Sequence, residues 1–275
     1  MLNIKGKNVL LTGASRGLGL HIAQGLAAEG VNIALTARSE TGLKKTEAEL
    51  SRYGIKSEIY PADICNEAAR LELIDRVKAD FGCIDILINN AGVEWVSAYT
   101  DLAPEKIEAI VQTNMISSMV LTRLVLPEML ARKSGHIVTM SSLGGKKGSP
   151  YSATYAATKA GLIQWSHALR NETYGTGVSA SVLCPGFVSD SGMFAAYGKS
   201  APKIAGESTP SDVVTAVLGS IKKDLAEIIV NPGPTKLMMA VDLLHPDIMP
   251  WLLRKLGVHE FYRKQAEDNK KSSIG

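Results

Sequence analysis

Tyr155-Ala156-Ala157-Thr158-Lys159 sets a phenol and an ammonium one helical turn apart on the same face. A nearby cation favours phenolate, drawing a tyrosine pKa down from about 10 toward the range where protons exchange near neutrality. Tyr155 is therefore a candidate acid/base. A Tyr and Lys at this spacing are more often an ordinary surface contact, so the pair needs supporting chemistry. A second constellation is Thr12-Gly13-Ala14-Ser15-Arg16-Gly17-Leu18-Gly19. Glycines in such a turn let the backbone approach a pyrophosphate, whose charge the exposed amides of a following helix can bind. Where a dinucleotide fold would place an acidic side chain on a ribose 2′-hydroxyl, the chain has Ala37 and then Arg38. Arg16 and Arg38 together offer two guanidiniums for forked contacts to a 2′-phosphate. This favours NADP(H) over NAD(H).

These groups need elements to hold them. From Asn8 to about Val230, aliphatic runs of strand length alternate with longer stretches of helical apolar spacing, the pattern of βαβ units and a parallel sheet. Strands are expected at Val9 to Thr12, Asn32 to Thr36, Lys56 to Tyr60, Ile84 to Asn89, Gly135 to Ser141, Val178 to Cys184 and Glu227 to Val230. They alternate little, as strands covered on both faces do. Helices are expected at Leu18 to Glu29, Gly42 to Tyr53, Asn66 to Phe81, Pro104 to Lys133, Tyr151 to Tyr174 and Ser211 to Asp224, with Asp101 and Ser211 as start signals. The fold class that follows is α/β: a Rossmann-type, doubly wound parallel sheet of about seven strands with helices on both faces. Residues 1–230 form the nucleotide-binding domain with its catalytic site, and residues 231–275 a C-terminal helical extension.

Several motifs, in order over about residues 5 to 230, resemble the short-chain dehydrogenase/reductase family. Thr12 to Gly19 matches its T-G-x-x-x-G-x-G, Asn89-Asn90-Ala91-Gly92 its N-N-A-G, and Tyr155 with Lys159 its Y-x-x-x-K. The resemblance implies that Ser142, at the family's usual separation from the tyrosine, holds a substrate carbonyl oxygen, in preference to Ser141. It implies that Tyr155 moves the proton, that Lys159 binds the nicotinamide ribose and depresses the tyrosine pKa, and that Asn114 holds a water in the relay. Cofactor contacts are expected from Gly13, Ser15, Arg16, Gly17, Leu18 and Gly19, from Arg38, Asp63 and Ile64, from Asn90, Ala91 and Gly92, and from Tyr155, Lys159, Pro185, Gly186 and Val188. The family often has a threonine two residues beyond that valine. Here Ser189-Asp190-Ser191 follows, and either serine is a substitute.

The implied activity is hydride transfer between NADP(H) and a carbonyl or secondary alcohol of a moderately apolar small molecule. Epimerase or dehydratase chemistry, or non-catalytic NADP(H) sensing, are the alternatives. Val93, Trp95, Val96, Leu143, Phe187, Met193 and Phe194 are expected to form or underlie an apolar pocket, and Lys146 and Lys147 to be solvated. In the tail, Leu237 to Leu244 and Ile248 to Leu256 read as short helices broken by prolines, each too short to span a bilayer. They are expected to pack on the domain or a second subunit, with a lid or an interfacial anchor through Trp251, Arg254 and Lys255 less favoured. A homodimer is expected before a tetramer.

Composition agrees with this class. The 275 residues are 45% hydrophobic and 21% charged with a net charge of +3, and a mean hydropathy of +0.07. That excludes a disordered chain and gives no footprint of a nucleic-acid binder. Cys65, Cys83 and Cys184 are odd in number with no C-x-x-C spacing, so no disulfide framework or metal site is indicated and a cytoplasmic location is the default. The N-terminal residues lack the apolar core of a secretory signal.

Overall fold

The computed structural model describes residues 3–195, 197–198, 201–202, 206–232 and 235–272. Its centre is a seven-stranded sheet, every neighbouring pair parallel, in the order β3-β2-β1-β4-β5-β6-β7. The strands are β1 (Asn8–Thr12), β2 (Asn32–Ala37), β3 (Ser57–Pro61), β4 (Ile86–Asn89), β5 (Gly135–Met140), β6 (Val178–Pro185) and β7 (Glu227–Val230). Successive side chains of a strand go to opposite faces, and here both faces are covered. Val9 and Leu11 of β1 pack with Ile22 and Leu26 of α1 (Leu18–Ala28) and with Val217 and Ile221 of α8 (Pro210–Lys222). Leu10, between them, packs with Leu73 and Val77 of α3 (Glu67–Phe81) and with Leu121 and Val125 of α5 (Ser117–Ala131). The chain leaves β1 for β2 on one side and β4 on the other. That reversal opens a crevice at the strands' carboxyl ends, where such sheets bind ligands.

The expected starts at Asp101 and Ser211 are corrected by two residues each. Pro104 opens α4 (Pro104–Val111) after Ala103, and Thr209 caps α8 through a reciprocal box with Asp212. In both cases a proline takes the first helical position, where its missing N–H costs nothing. A larger departure lies in the helix expected to run unbroken from Pro104 to Lys133. Between α4 and α5 the chain makes a π turn at Gln112–Ile116, an insertion that apolar spacing does not reveal and that often marks functional positions. By length and composition Pro104–Ala131 is apolar enough to cross a membrane. Here Leu121, Val125 and Met129 are core residues beside the sheet.

After β7 come α9 (Thr235–Leu244), α10 (Ile248–Lys255) and α11 (Val258–Ser272). Pro246 falls between α9 and α10, and Pro250 sits in the first turn of α10. α11 is pinned to the domain: Val258, Tyr262 and Ala266 pack with Val96, Asn269 Nδ2 donates to the Val96 carbonyl at 2.9 Å, and Lys270 pairs with Asp101 at 2.8 Å. α9 is tied by Lys147, which holds Asp242 at 3.0 Å and the Pro246 carbonyl at 3.2 Å. The apolar side chains of Leu237, Leu243, Leu244 and Trp251 remain exposed.

Candidate active site

β1 ends at Thr12, whose buried hydroxyl joins two loops. It accepts the N–H groups of Asn90 at 2.9 Å and Ala91 at 3.0 Å, and donates to the Ile88 carbonyl at 3.3 Å. The Asn90 amide reaches back to the carbonyls of Thr12 at 2.9 Å and Gly13 at 3.3 Å. The glycine turn and the Asn-Asn-Ala-Gly turn are thereby one rigid unit, so close that a Cβ on Gly13 (φ +66°) would stand 2.9 Å from Ala91 Cα. At Gly19 a Cβ would meet the Gly13 carbonyl oxygen, because the first turn of α1 rests against the loop.

Above this unit lies a cavity of about 2220 Å³. All the cofactor positions expected from the sequence line it, as do Ser142, Tyr155 and Lys159. At one end stand Arg16 and Arg38, neither of which makes an ion pair among the described residues. Lys45, from α2 (Glu40–Leu50), lines the same end. Sequence reasoning missed it, although it lies in the second turn of the helix that follows Arg38. The three cations at the β2 end form a donor set suited to a ribose phosphate. Asp63 and Ile64 line the neighbouring wall; the Ile64 carbonyl is held by buried Arg70 at 2.8 Å and the Cys65 N–H donates to Asp63 Oδ1 at 3.0 Å. Of the two serines after Val188, Ser191 lines the cavity, while Ser189 is turned toward Asp190 and the Ser208 carbonyl.

The candidate catalytic groups come from β5, the turn after it, and α6 (Ala153–Glu172). The two adjacent serines have separate tasks. Ser141 is buried and donates to the Lys159 carbonyl at 2.8 Å, fastening α6 to the strand. Ser142 faces the cavity; its Oγ accepts from Gly144 N at 3.1 Å, donates to the Pro185 carbonyl at 3.4 Å, and lies within interacting reach of the Tyr155 phenol. Lys159 Nζ donates to the Met140 carbonyl at 2.7 Å and lies 5.4 Å from the Tyr155 ring centroid. Burial lowers the lysine pKa to about 8, opposed by the Glu94 charge. The tyrosine does not follow the simple expectation of a depressed pKa. Burial pushes it up and the Glu94 charge pushes further, while only the Ser142 hydroxyl pulls down. At neutral pH Tyr155 therefore keeps its proton.

Asn114 does not line the cavity. It sits in the π turn, fully buried, with its side chain shared between two residues: Oδ1 accepts from Val93 N at 2.8 Å, and Nδ2 donates to the Val93 carbonyl at 2.9 Å and to the Thr158 hydroxyl at 3.3 Å. Through that pairing it fixes the strand of chain that passes Lys159; a Cβ on Gly92 would lie 3.6 Å from Lys159 Nζ.

Beyond the reacting groups the cavity widens into an apolar chamber. Val93, Leu143, Phe187, Met193 and Phe194 line it as expected, but Trp95 and Val96 do not. Val96 is core beneath α11, and Trp95 carries the Lys106 ammonium at 4.6 Å from its ring centroid. The tail supplies the remaining wall through Met238, Met239, Leu253 and Tyr262. Lys146 and Lys147 are not solvated but paired, with Glu227 and Asp242. The polar residues Glu94 and Tyr197 also line the chamber, and no motif pointed to either.

A protein-family model for short chain dehydrogenases matches residues 7–201. The chain belongs to that family. This short-chain dehydrogenase is thus an oxidoreductase on a nicotinamide-binding Rossmann fold. It is 44% identical to the ketoacyl reductase HetN of Nostoc over 98% of its own length and 96% of the relative's. It is 35% identical to the 3-oxoacyl-[acyl-carrier-protein] reductase FabG of Escherichia coli over 68% of this chain and 75% of that one. Among solved structures, a single-site variant of actinorhodin polyketide ketoreductase with NADPH superposes with a TM-score of 0.74 at 29% identity, covering 83% of this chain and 97% of that one.

Proposed function

We propose that this oxidoreductase is an NADP(H)-dependent reductase of a keto group carried on an apolar acyl chain, with Tyr155 as its acid. The observation that carries the reading is the layout of one cavity: a basic end at Arg16, Arg38 and Lys45, an apolar chamber at the other, and Ser142, Tyr155 and Lys159 at their junction. The likeness to two ketoacyl reductases supports the choice of substrate class.

In this reading the cofactor supplies the hydride. Gly13 to Gly19 would hold its pyrophosphate at the start of α1, the three cations would hold a 2′-phosphate, and Pro185-Gly186 and Val188 would contact the nicotinamide end. Ser142 Oγ, itself held from Gly144 and toward Pro185, places the carbonyl oxygen against the Tyr155 phenol. Tyr155 gives its proton to that oxygen as negative charge develops there, and Ser142 shares the charge by a hydrogen bond. Lys159, anchored on Met140, presents its ammonium to the ribose and to the phenol ring and stabilises the charge left on the tyrosine. Asn114 acts through Val93, keeping the wall of the pocket in register.

The test is turnover on a carbonyl panel. Purified protein with β-ketoacyl thioesters of increasing chain length should oxidise NADPH steadily and release the β-hydroxyacyl product, and should do so far less well with NADH. NADPH binding without turnover on any carbonyl would overturn the reading.

A further inference from the structure

Among the side chains that line the cavity beside Tyr155 is a carboxyl group that the reduction itself does not require, that of Glu94. Glu94 follows the Gly92-Val93 segment that Asn114 clamps, so its backbone is fixed relative to Lys159. Its Oε1 accepts from the Ser152 hydroxyl at 2.5 Å, and its Oε2 from the Tyr197 hydroxyl at 2.8 Å. Ser152 stands at the start of α6 just before the catalytic tyrosine, and Tyr197 lies on the segment that follows α7 (Gly192–Ala195), so the carboxyl joins α6 to the residue two beyond α7. Tyr262 of α11 contributes a further phenol within electrostatic reach.

A carboxylate has about four acceptor positions. The protein fills two of them. The group lies deep enough for burial to raise its pKa, yet lines the cavity rather than the core. Partly exposed to the cavity, the carboxylate has the rest of its acceptor capacity open to whatever enters the chamber. A cation is a poor candidate, because the Lys159 ammonium already acts on the same group. A neutral donor suits the site.

We propose that Glu94 is a substrate-specificity residue that accepts a hydrogen bond from a neutral donor, an amide N–H or a hydroxyl, carried by the keto substrate near its reacting carbonyl. The inference rests on the reductase reading and names a feature of its substrate. It also gives Ser152 and Tyr197 a role, since they hold the carboxyl in the rotamer that leaves its free lone pairs toward the chamber.

The test uses two matched pairs of ketones. One pair is a β-ketoacyl N-acetylcysteamine thioester and its N-methylated form, which differ by one amide N–H. The other is a keto thioester with a hydroxyl at the far end of a short acyl chain and the corresponding methyl ether. Wild-type protein should prefer the donor-bearing member of at least one pair by about 10- to 100-fold in kcat/KM, the range expected for one hydrogen bond to a charged acceptor. In Glu94→Leu that preference should fall to within about threefold; the ratio within each pair is the readout, so any rate change common to both members through Tyr155 or Lys159 cancels. Glu94→Gln, which keeps an acceptor oxygen and the shape, should retain part of it, and keeps the test open if the leucine variant does not fold. Calorimetric binding of the same pairs to the NADP(H)-loaded protein should show the same preference. Equal losses on both members of each pair would mean a merely structural role and would overturn the inference, as would no preference in the wild type by either readout. Absence of turnover on every ketone, with the binding preference intact, would instead count against the reductase reading alone.

Discussion

Thr12→Val isolates the joint between the two cofactor loops. Thr12 is 1% exposed, and valine replaces its hydroxyl by a methyl of nearly the same size. Packing is kept and only the polar contacts change. The Asn90 and Ala91 amides lose the Oγ1 acceptor that lies 2.9 and 3.0 Å away. A buried donor left without a partner costs about 1–3 kcal/mol. Both contacts are only partly buried, so the lower half of that range applies to each, giving a total of about 2–4 kcal/mol. At about 2–4 °C per kcal/mol for a chain of this order of size, the melting temperature should fall by roughly 4–16 °C. The bonds from Asn90 Nδ2 to the Thr12 and Gly13 carbonyls survive, so the loops loosen without separating. NADPH affinity should therefore weaken rather than vanish. Thermal unfolding by circular dichroism, with a fluorescence titration of NADPH, measures both effects. Thr12→Ser keeps the oxygen and should restore most of each. A valine variant that melts within a degree of wild type and binds NADPH unchanged would refute the reasoning.

Other expectations follow from the same geometry. Arg38→Glu should reduce NADPH affinity by at least about tenfold, a charge-assisted bond being worth about 1.5–3 kcal/mol, while leaving NADH much less affected; Lys45→Ala should act in the same direction, and equal effects on both cofactors would contradict a 2′-phosphate site. Gly19→Ala should abolish tight cofactor binding, because the new methyl would collide with the Gly13 carbonyl; an unchanged dissociation constant would show that the turn yields freely. His136 is buried, with Nε2 2.8 Å from Ser181 Oγ, and burial lowers its pKa from 6.5 to about 4. A base that resists protonation only when folded contributes its full stability above pH 6.5 and loses it as the pH falls toward 4. That loss is about 3 kcal/mol for a shift of this size. Urea midpoints measured across this window should fall more steeply for wild type than for His136→Gln, and parallel slopes would exclude the assignment.

The order of elements, the seven strands and the cofactor end of the cavity were legible because each rests on local signals: apolar runs of strand length, glycines before a helix, and cations where a carboxylate would otherwise stand. The choice between Ser141 and Ser142 depended on resemblance to the family. The structure supplies its physical counterpart, since one hydroxyl is turned to the Lys159 carbonyl and the other to the phenol. What sequence reasoning missed was tertiary. The π turn at Asn114 changes which face of a helix is buried without altering the apolar pattern around it. Glu94, Tyr197 and Tyr262 meet in space from three distant segments, and no spacing rule links them. The simple expectation for the Tyr155 pKa considered the cation one turn away, but not the burial and the carboxylate that outweigh it. Lys146 and Lys147, polar residues in a glycine-rich loop, looked solvated because their carboxylate partners lie far along the chain.

The central claim is that Tyr155 delivers the proton in a carbonyl reduction while other residues hold the cofactor. Its most direct test is Tyr155→Phe, with NADPH affinity and steady-state reduction of a β-ketoacyl thioester measured on the same preparation. Affinity close to wild type with nearly all turnover lost is the predicted result. Turnover retained at a substantial fraction of wild type would contradict it.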